Sequence, residues 1–423
     1  MITSSAFSGQ RYGVFGLARS GRATVAALVA SGAEVLAWDD GEAAREAFAG
    51  PLTDLNEADL AGLAAIVVSP GVPHSAPIFA RAAAAGVMVI GDIELFAIAR
   101  ADLPPQRVVG ITGTNGKSTT TALVHHLLAN AGVPAAMGGN IGLPILAQDP
   151  LPAGGVYVLE LSSYQLEITH SLACDVAVLL NITPDHLERH GTMAAYAAAK
   201  ARIFAMQRPS GVAIVGGAAQ ADFTPAPATA LRIEEVATPA QADWPALQGP
   251  HNLENARAAV AVVRALGLGE AEIAAGLASY GGLPHRMERV GVRGGVLWVN
   301  DSKATNAEAA APALAAYART HWIAGGKAKG ADLDAVMPHL AGVVAAYLIG
   351  EAAPVFHDIL QGRLPVTLSG TLPRAVADAA AAARAGDTVL LSPACASFDQ
   401  FRDFEARGEA FRALVAALPE DVA

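Results

Sequence analysis

From one end of the chain to the other, short runs of β-branched residues alternate with alanine-rich stretches of helical character. This alternation restricts the fold more than any other feature. Strand, helix and strand in succession require a crossover, and repeated crossovers build parallel sheets with helices on both faces. The runs fall into three sets. "RYGVFG", "AEVLAWDD", "AIVVSPG" and "VMVIGD" form the first; "RVVGITG", "GVYVLELSS", "VAVLLNITPD" and "GVAIVGG" the second; "HWIAGGK", "AAYLIG" and "DTVLLSP" the third. Three α/β sheets are expected, with junctions near "ARADLPPQRV" and "YGGLPHRMERV", where Pro, Gly and charge interrupt the pattern. A chain of 423 residues with 53% hydrophobic content can bury more than one core.

The formal net charge is −11, from 28 Lys and Arg against 39 Asp and Glu, which argues against a broad nucleic-acid or anionic-membrane surface. It leaves room for a local cationic pocket, and a small anionic ligand fits better. Cys174 and Cys395 are too few for a disulfide framework and suit a reducing compartment. The opening "MITSSAFSGQRYG" has no apolar signal core, and uncharged stretches such as "AGVPAAMGGNIGLPILAQ" are broken by Gly, Pro and Asn. The expectation is a cytoplasmic protein with no membrane insertion.

Two glycine-bearing turns follow predicted strands. In the first, Gly16-Leu17-Ala18-Arg19-Ser20-Gly21 resembles a dinucleotide fingerprint, with Asp39 ending a strand about twenty residues further on. Ala18 stands where a pyrophosphate usually needs glycine, so NAD is weakly supported and a nucleoside diphosphate suits the turn equally well. The second turn carries more chemistry. In "GITGTNGKST", Gly113, Thr114, Asn115, Gly116, Lys117, Ser118 and Thr119 reproduce strand, loop and helix start of a phosphate cradle. Backbone N–H groups converge on phosphate oxygens, the lysine adds charge, and the serine hydroxyl can reach magnesium. The strict spacing fails by one residue, since Ile111 stands where the first glycine belongs. ATP or GTP binding is expected. Glu160 ends a strand of the same set, and His186 and Lys200 follow in "NITPDHLERHG" and "AAYAAAKARIF". Taken alone, each has a plainer reading: Glu160 a solvated strand end, His186 a packing residue at a helix start, and Lys200 an exposed helix charge.

Together with "ELSSYQLE", "HNLENARAA", "LPHRMERV", "NDSKATN", "GGKAKGAD" and "LSPACASFDQFRDFEARGEAF", these motifs occur in the order that marks the Mur ligase family, which the whole chain resembles. The resemblance implies a Rossmann-like UDP-binding domain over residues 1–97, a central P-loop ATPase-like domain over 98–282, and a Rossmann-like amino-acid domain over 283–423 that closes over its substrate. It implies a monomeric ligase that uses ATP and two magnesium ions to join D-glutamate to UDP-N-acetylmuramoyl-L-alanine.

By the same resemblance, Lys117, Ser118 and Thr119 hold the ATP phosphates, with Ser118 and Glu160 on one magnesium. His186 and Lys200 serve the second ion, the lysine as an anionic carbamate. Asn255 faces adenine, Arg286 the γ-phosphate and Asp301 the ribose, with Lys303 beside it. Leu17, Arg19, Ser20, Asp39 and Gly71 belong to the UDP-sugar side, and Asn140 meets the muramoyl group. Thr305, Lys329, Ser397 and Phe404 recognise D-glutamate. Lys327 and Ala328 depart from the acidic residue and glycine that relatives often carry, which leaves open whether Lys327 or Lys329 meets the side-chain carboxylate. The base for the amine is also open, with His186 a candidate. Two rivals remain: a related ligase adding L-alanine to the sugar or glutamate to folate, and a nucleotide sensor that needs neither Glu160, His186 nor Lys200.

Overall fold

Strands β1 (Arg11–Phe15), β2 (Glu34–Trp38), β3 (Ala65–Val68) and β4 (Val89–Ile90) form a parallel sheet in the order β2-β1-β3-β4. Successive residues of a strand point to opposite faces, so a sheet covered on both faces needs apolar residues at every position. β3 is buried at all four of its positions. Val14 and Val67 enter one core while Phe15, Ile66 and Val68 enter another. The computed structural model describes residues 1–217, 229–327 and 332–419.

The second sheet contains β5 (Arg107–Thr112), β6 (Ala135–Gly139), β7 (Val156–Glu160), β8 (Val176–Leu179), β9 (Val212–Val215) and β10 (Thr229–Arg232), in the order β10-β9-β8-β5-β7-β6. All its pairings are parallel. β5 lies between β7 and β8, with Ile111 opposite Glu160 and Thr112 opposite Leu179. The carboxyl ends of three neighbouring strands therefore open onto one crevice, where such sheets bind ligands.

The third sheet joins β11 (Glu288–Arg293), β12 (Val296–Asn300), β13 (Thr320–Gly325), β14 (Val343–Ile349), β15 (Val366–Gly370) and β16 (Thr388–Leu391) in the order β11-β12-β16-β13-β14-β15. Only the edge pair β11–β12 is antiparallel. Helices Ala307–Ala315 and Ala353–Leu360 contribute to the core on one face, and Leu372–Ala382 and Phe404–Ala416 to the core on the other. The α/β class and the parallel sheets expected from the alternation are present.

By compactness the chain divides into two units, Met1–Thr238 with Glu254–Leu277, and Pro239–Leu253 with Ala278–Ala423. The first unit contains the first two sheets, joined by one core that includes Val14, Val67, Val108 and Leu159. Helix Asp92–Ala99 crosses the expected junction at residue 97, and its residues before that point are fastened to the second sheet's part of the unit. Phe96 meets Tyr157 edge-on with ring centroids 5.0 Å apart, and Glu94 accepts from the backbone N–H of His170 (2.6 Å) and Ser171 (2.9 Å) and from the Ser171 hydroxyl (2.6 Å).

Candidate active site

β5 delivers the chain into the loop Gly113–Gly116, and helix Lys117–Asn130 leaves it. Gly116 turns the corner at φ +84°, a left-handed conformation that side chains resist, and a Cβ there would lie 2.2 Å from Asn255 Oδ1. The loop is locked from the end of β8. Asn181 accepts the Asn115 N–H on its side chain (2.8 Å) and the Thr114 N–H on its carbonyl (3.0 Å), and its amide donates back to the Asn115 carbonyl (3.1 Å). Two amides expected to cradle phosphate thus shape the loop instead. Thr119 is half-buried on the helix, and Thr120 Oγ1 donates to Asn255 Oδ1 at 3.3 Å, so Asn255 stands against the phosphate loop itself.

Glu160 ends β7 as a buried carboxylate. One oxygen accepts from the Ser118 hydroxyl at 2.5 Å and the other from the Asn140 side-chain amide at 2.9 Å, so three expected site residues meet at one carboxylate. Lys117 Nζ folds back onto the carbonyls of Gly113 (2.9 Å) and Thr114 (2.8 Å), and Lys200 Nζ reaches the same Gly113 carbonyl at 2.8 Å. Two amines crowd one acceptor. The Lys200 side chain is fully buried, and burial, then the charge of Lys117, pushes its pKa down to about 6. His186 caps a short helix in the left-handed region at φ +54°, and its Nδ1 pairs with the Tyr164 hydroxyl at 2.9 Å. Gly71, Lys117, Asn140, His186 and Lys200 line one cavity of about 280 Å³, together with Pro70, Ser162, Ser163, Tyr164 and Tyr196.

The donor chemistry separates the two expected magnesium positions. Ser118 and Glu160 offer adjacent hard oxygens beside the phosphate loop, the donor set magnesium prefers. His186 and Lys200 offer nitrogen, and among the described residues no group of three or more His, Cys, Asp or Glu converges as a metal site. A second magnesium fits there only if Lys200 carries carbamate oxygens.

On the first sheet, Asp39 accepts the Leu17 N–H at 2.6 Å and the Gly41 N–H at 2.8 Å. Arg19 donates to the Gly142 carbonyl at 2.5 Å, and Ser20 lines a separate small cavity with Ser69 and Pro70. Gly16 is required by packing: a Cβ on it would lie 2.6 Å from Ser69 Oγ. The fingerprint glycine therefore seats the turn on β3.

In the second unit, Asp301 follows β12 and is buried. It accepts from the Met287 N–H (3.1 Å) and the Ser392 hydroxyl (2.8 Å), and burial pushes its carboxyl up to about 7. Arg286 lies between two residues in the left-handed region, His285 and Met287. Lys303 Nζ sits 4.0 Å from the Phe404 ring centre, Thr305 is half-buried and Ser397 is buried. Lys327 pairs with Ala396 through both backbone groups (2.9 and 3.0 Å), whereas Lys329 lies outside the described residues.

Arg407, not singled out from sequence, holds these loops together. Its buried guanidinium donates to Ser302 Oγ (2.9 Å), the Ser302 carbonyl (2.8 Å), the Cys395 carbonyl (3.0 Å) and the Ala396 carbonyl (3.3 Å). Tyr164, Asn181 and Tyr196 were missed as well, although each sits inside or next to a motif already in view. An aromatic or amide within such a motif is the available signal.

Two family descriptions match the chain: "Mur ligase middle domain" over residues 111–224 and "Mur ligase, glutamate ligase domain" over residues 285–395. The chain is similar to the UDP-N-acetylmuramoylalanine–D-glutamate ligase of Novosphingobium aromaticivorans, 59% identical over 432 residues that cover 100% of this chain and 98% of the relative. The enzyme of that name from Sphingopyxis alaskensis is 57% identical, covering 99% of this chain and 100% of the relative. Among solved structures, the UDP-N-acetylmuramate–alanine ligase MurC of Thermotoga maritima shares the fold at TM-score 0.60 and 15% identity, covering 96% of this chain and 99% of that one. E. coli FolC matches at TM-score 0.55 and 21% identity, over 78% of this chain and 94% of that one.

Proposed function

This chain belongs to the Mur ligase family, and from that premise we propose that it joins D-glutamate to UDP-N-acetylmuramoyl-L-alanine at the expense of ATP, as a cytoplasmic monomer in peptidoglycan precursor synthesis. The observation that carries the reading is the cavity where phosphate-loop Lys117, Asn140, His186 and Lys200 meet. By function we propose three domains, 1–97 for UDP, 98–282 for ATP and 283–423 for the amino acid, a division that cuts across the two compact units, since Pro239–Leu253 groups with the second.

A carboxylate and an amine do not condense in water, because the carboxylate is a poor electrophile and its oxygen a poor leaving group. Phosphorylation removes both obstacles. The alanyl carboxylate oxygen attacks the γ-phosphorus, the bond to the ADP oxygen breaks, and an acyl phosphate forms. Lys117, folded onto carbonyls of its own loop, would offset the charge of the phosphates that the loop holds. Arg286 adds a second positive charge at the γ-phosphate. The D-glutamate amine then attacks the acyl carbon, and the tetrahedral intermediate expels inorganic phosphate and loses a proton to leave the peptide bond. Magnesium at Ser118 and Glu160, and at His186 and carbamylated Lys200, would supply charge neutralisation for the phosphates. Asn140 orients the muramoyl group. Thr305, Ser397, the backbone at Phe404, and Lys329 or Lys327 hold the two carboxylates of glutamate.

Phosphate release measured with ATP and UDP-N-acetylmuramoyl-L-alanine, with and without D-glutamate, tests the reading. Sustained release is expected only when all three are present. Turnover with UDP-N-acetylmuramate and L-alanine, or with a folate and glutamate, would establish a related ligase instead. No turnover with any acceptor, despite tight ATP binding, would favour the sensor.

A further inference from the structure

The geometry points to Arg189 as a positioning residue for the UDP-sugar substrate, acting through the Pro70–Val72 backbone. Arg189 lies on the short helix Leu187–His190, immediately after His186, and its side chain is only 9% exposed. Its Nη1 donates to the Val72 carbonyl at 3.0 Å and to the Pro70 carbonyl at 3.5 Å. These two carbonyls bracket Gly71, so fixing them fixes the Gly71 peptide on the cavity wall. The guanidinium is itself oriented on two further sides. Its Nε lies 3.3 Å from Glu167 Oε2, and its plane covers the Tyr164 ring at 4.1 Å from the centroid.

Glu167 also receives His74 Nε2 at 3.1 Å and His190 Nδ1 at 3.1 Å, while Tyr164 passes on to His186 Nδ1 at 2.9 Å. A loop after β3 of the first sheet and a helix after β8 of the second are thus held to one another directly by Arg189 and, through His74 and His190, by Glu167. A planar fork with several donors can serve two carbonyls, a carboxylate and an aromatic face together, whereas an ammonium on a flexible stem cannot hold all four in register. The hydrogen bonds of Arg189 itself go to the Pro70–Val72 backbone and to Glu167, and none of these goes to the phosphate loop. The effect should fall on the UDP-sugar and spare ATP and D-glutamate.

This inference rests on the proposed function, because it takes the substrate of the Gly71 wall from that reading. Steady-state kinetics of the full-length enzyme and of Arg189→Lys test it, with each substrate varied in turn. The KM for UDP-N-acetylmuramoyl-L-alanine should rise about tenfold, as expected for loss of a charge-assisted hydrogen bond, while the KM values for ATP and D-glutamate and kcat stay within about threefold. A merely structural role would lower kcat and Tm without moving one KM selectively. Where Arg189→Lys does not fold, Glu167→Gln answers the same question, since it leaves Arg189 in place without its anionic anchor and should raise the same KM about threefold. An unmoved KM for the UDP-sugar, or a parallel rise in all three, overturns the inference. A wild-type enzyme that turns over a different acceptor takes down the functional reading as well, which separates the two failures.

Discussion

At the scale of single residues, the site is governed by what burial does to charge. Lys200 is a buried amine whose pKa is pushed down to about 6, chiefly by desolvation, so at neutral pH it is a free base. A neutral amine can add to carbon dioxide, forming an N–C bond and releasing a proton, and the product would be the oxygen donor that the proposed second magnesium requires. With labelled bicarbonate, carbon NMR should show a carbamate resonance in the wild type that is absent in Lys200→Arg. That variant should lose activity by about a hundredfold or more, and full activity in it would remove the proposed role. Asp301 is the converse case. Burial raises its carboxyl from about 4 in the unfolded chain to about 7 in the folded one, so the native state binds its proton more tightly. Its contribution is fully present below about pH 4 and is lost as pH rises through 7, an upper bound of roughly 4 kcal/mol. Asp301→Asn should therefore gain thermal stability over the wild type as pH rises from 5 to 8 while losing activity. Parallel Tm profiles across that range would contradict the assignment.

At the scale of elements, the phosphate loop shows how little freedom a tight turn has. Gly116 at φ +84° faces Asn255, and an added Cβ would meet its oxygen at 2.2 Å. Gly116→Ala combines backbone strain of about 1 kcal/mol or more with displacement of Asn255. Nucleotide affinity, followed with a fluorescent ATP analogue, should fall at least tenfold while the far-ultraviolet spectrum stays native. Unchanged affinity would mean that the loop does not form the nucleotide cradle. The N-terminal turn differs in kind. There the glycine fits the turn against Ser69, and Asp39 already accepts the Leu17 amide, which is compatible with alanine at position 18.

At the scale of the whole molecule, the division into two units suggests a division of chemical labour. Of the candidates for phosphoryl transfer, Lys117, Ser118, Glu160, His186 and Lys200 fall in the first unit and Arg286 in the second, and every described candidate for amino-acid recognition falls in the second. Lys329→Ala should raise the D-glutamate requirement about tenfold or more, as loss of a charged partner for a carboxylate would, while acyl phosphate trapped by borohydride reduction still forms. Lys327→Ala is the comparison, because its backbone is pinned to Ala396 beside Ser397. An effect at Lys327 alone would exchange the two roles. Normal glutamate binding in both variants would remove the C-terminal assignment.

Periodicity and turn chemistry are local, and so the sequence by itself determined the α/β class, the three groups of strands and the loops that carry chemistry. Each of these follows from residues a few positions apart: the apolar runs around Val108 and Val156, or Gly116 beside Lys117. Residue order also placed Glu160 at a strand end. Tertiary structure alone decided which distant groups would share an atom. Glu160 joins Ser118 to Asn140, Gly113 receives two lysines, and Arg407 ties the loop at Ser302 to that at Cys395. No local rule reports that Asn181 occupies two amides of the phosphate loop, or that burial leaves Lys200 uncharged. Hydrogen-bond satisfaction and desolvation depend on the chain segments packed around a group, and those are set only when the sheets have assembled.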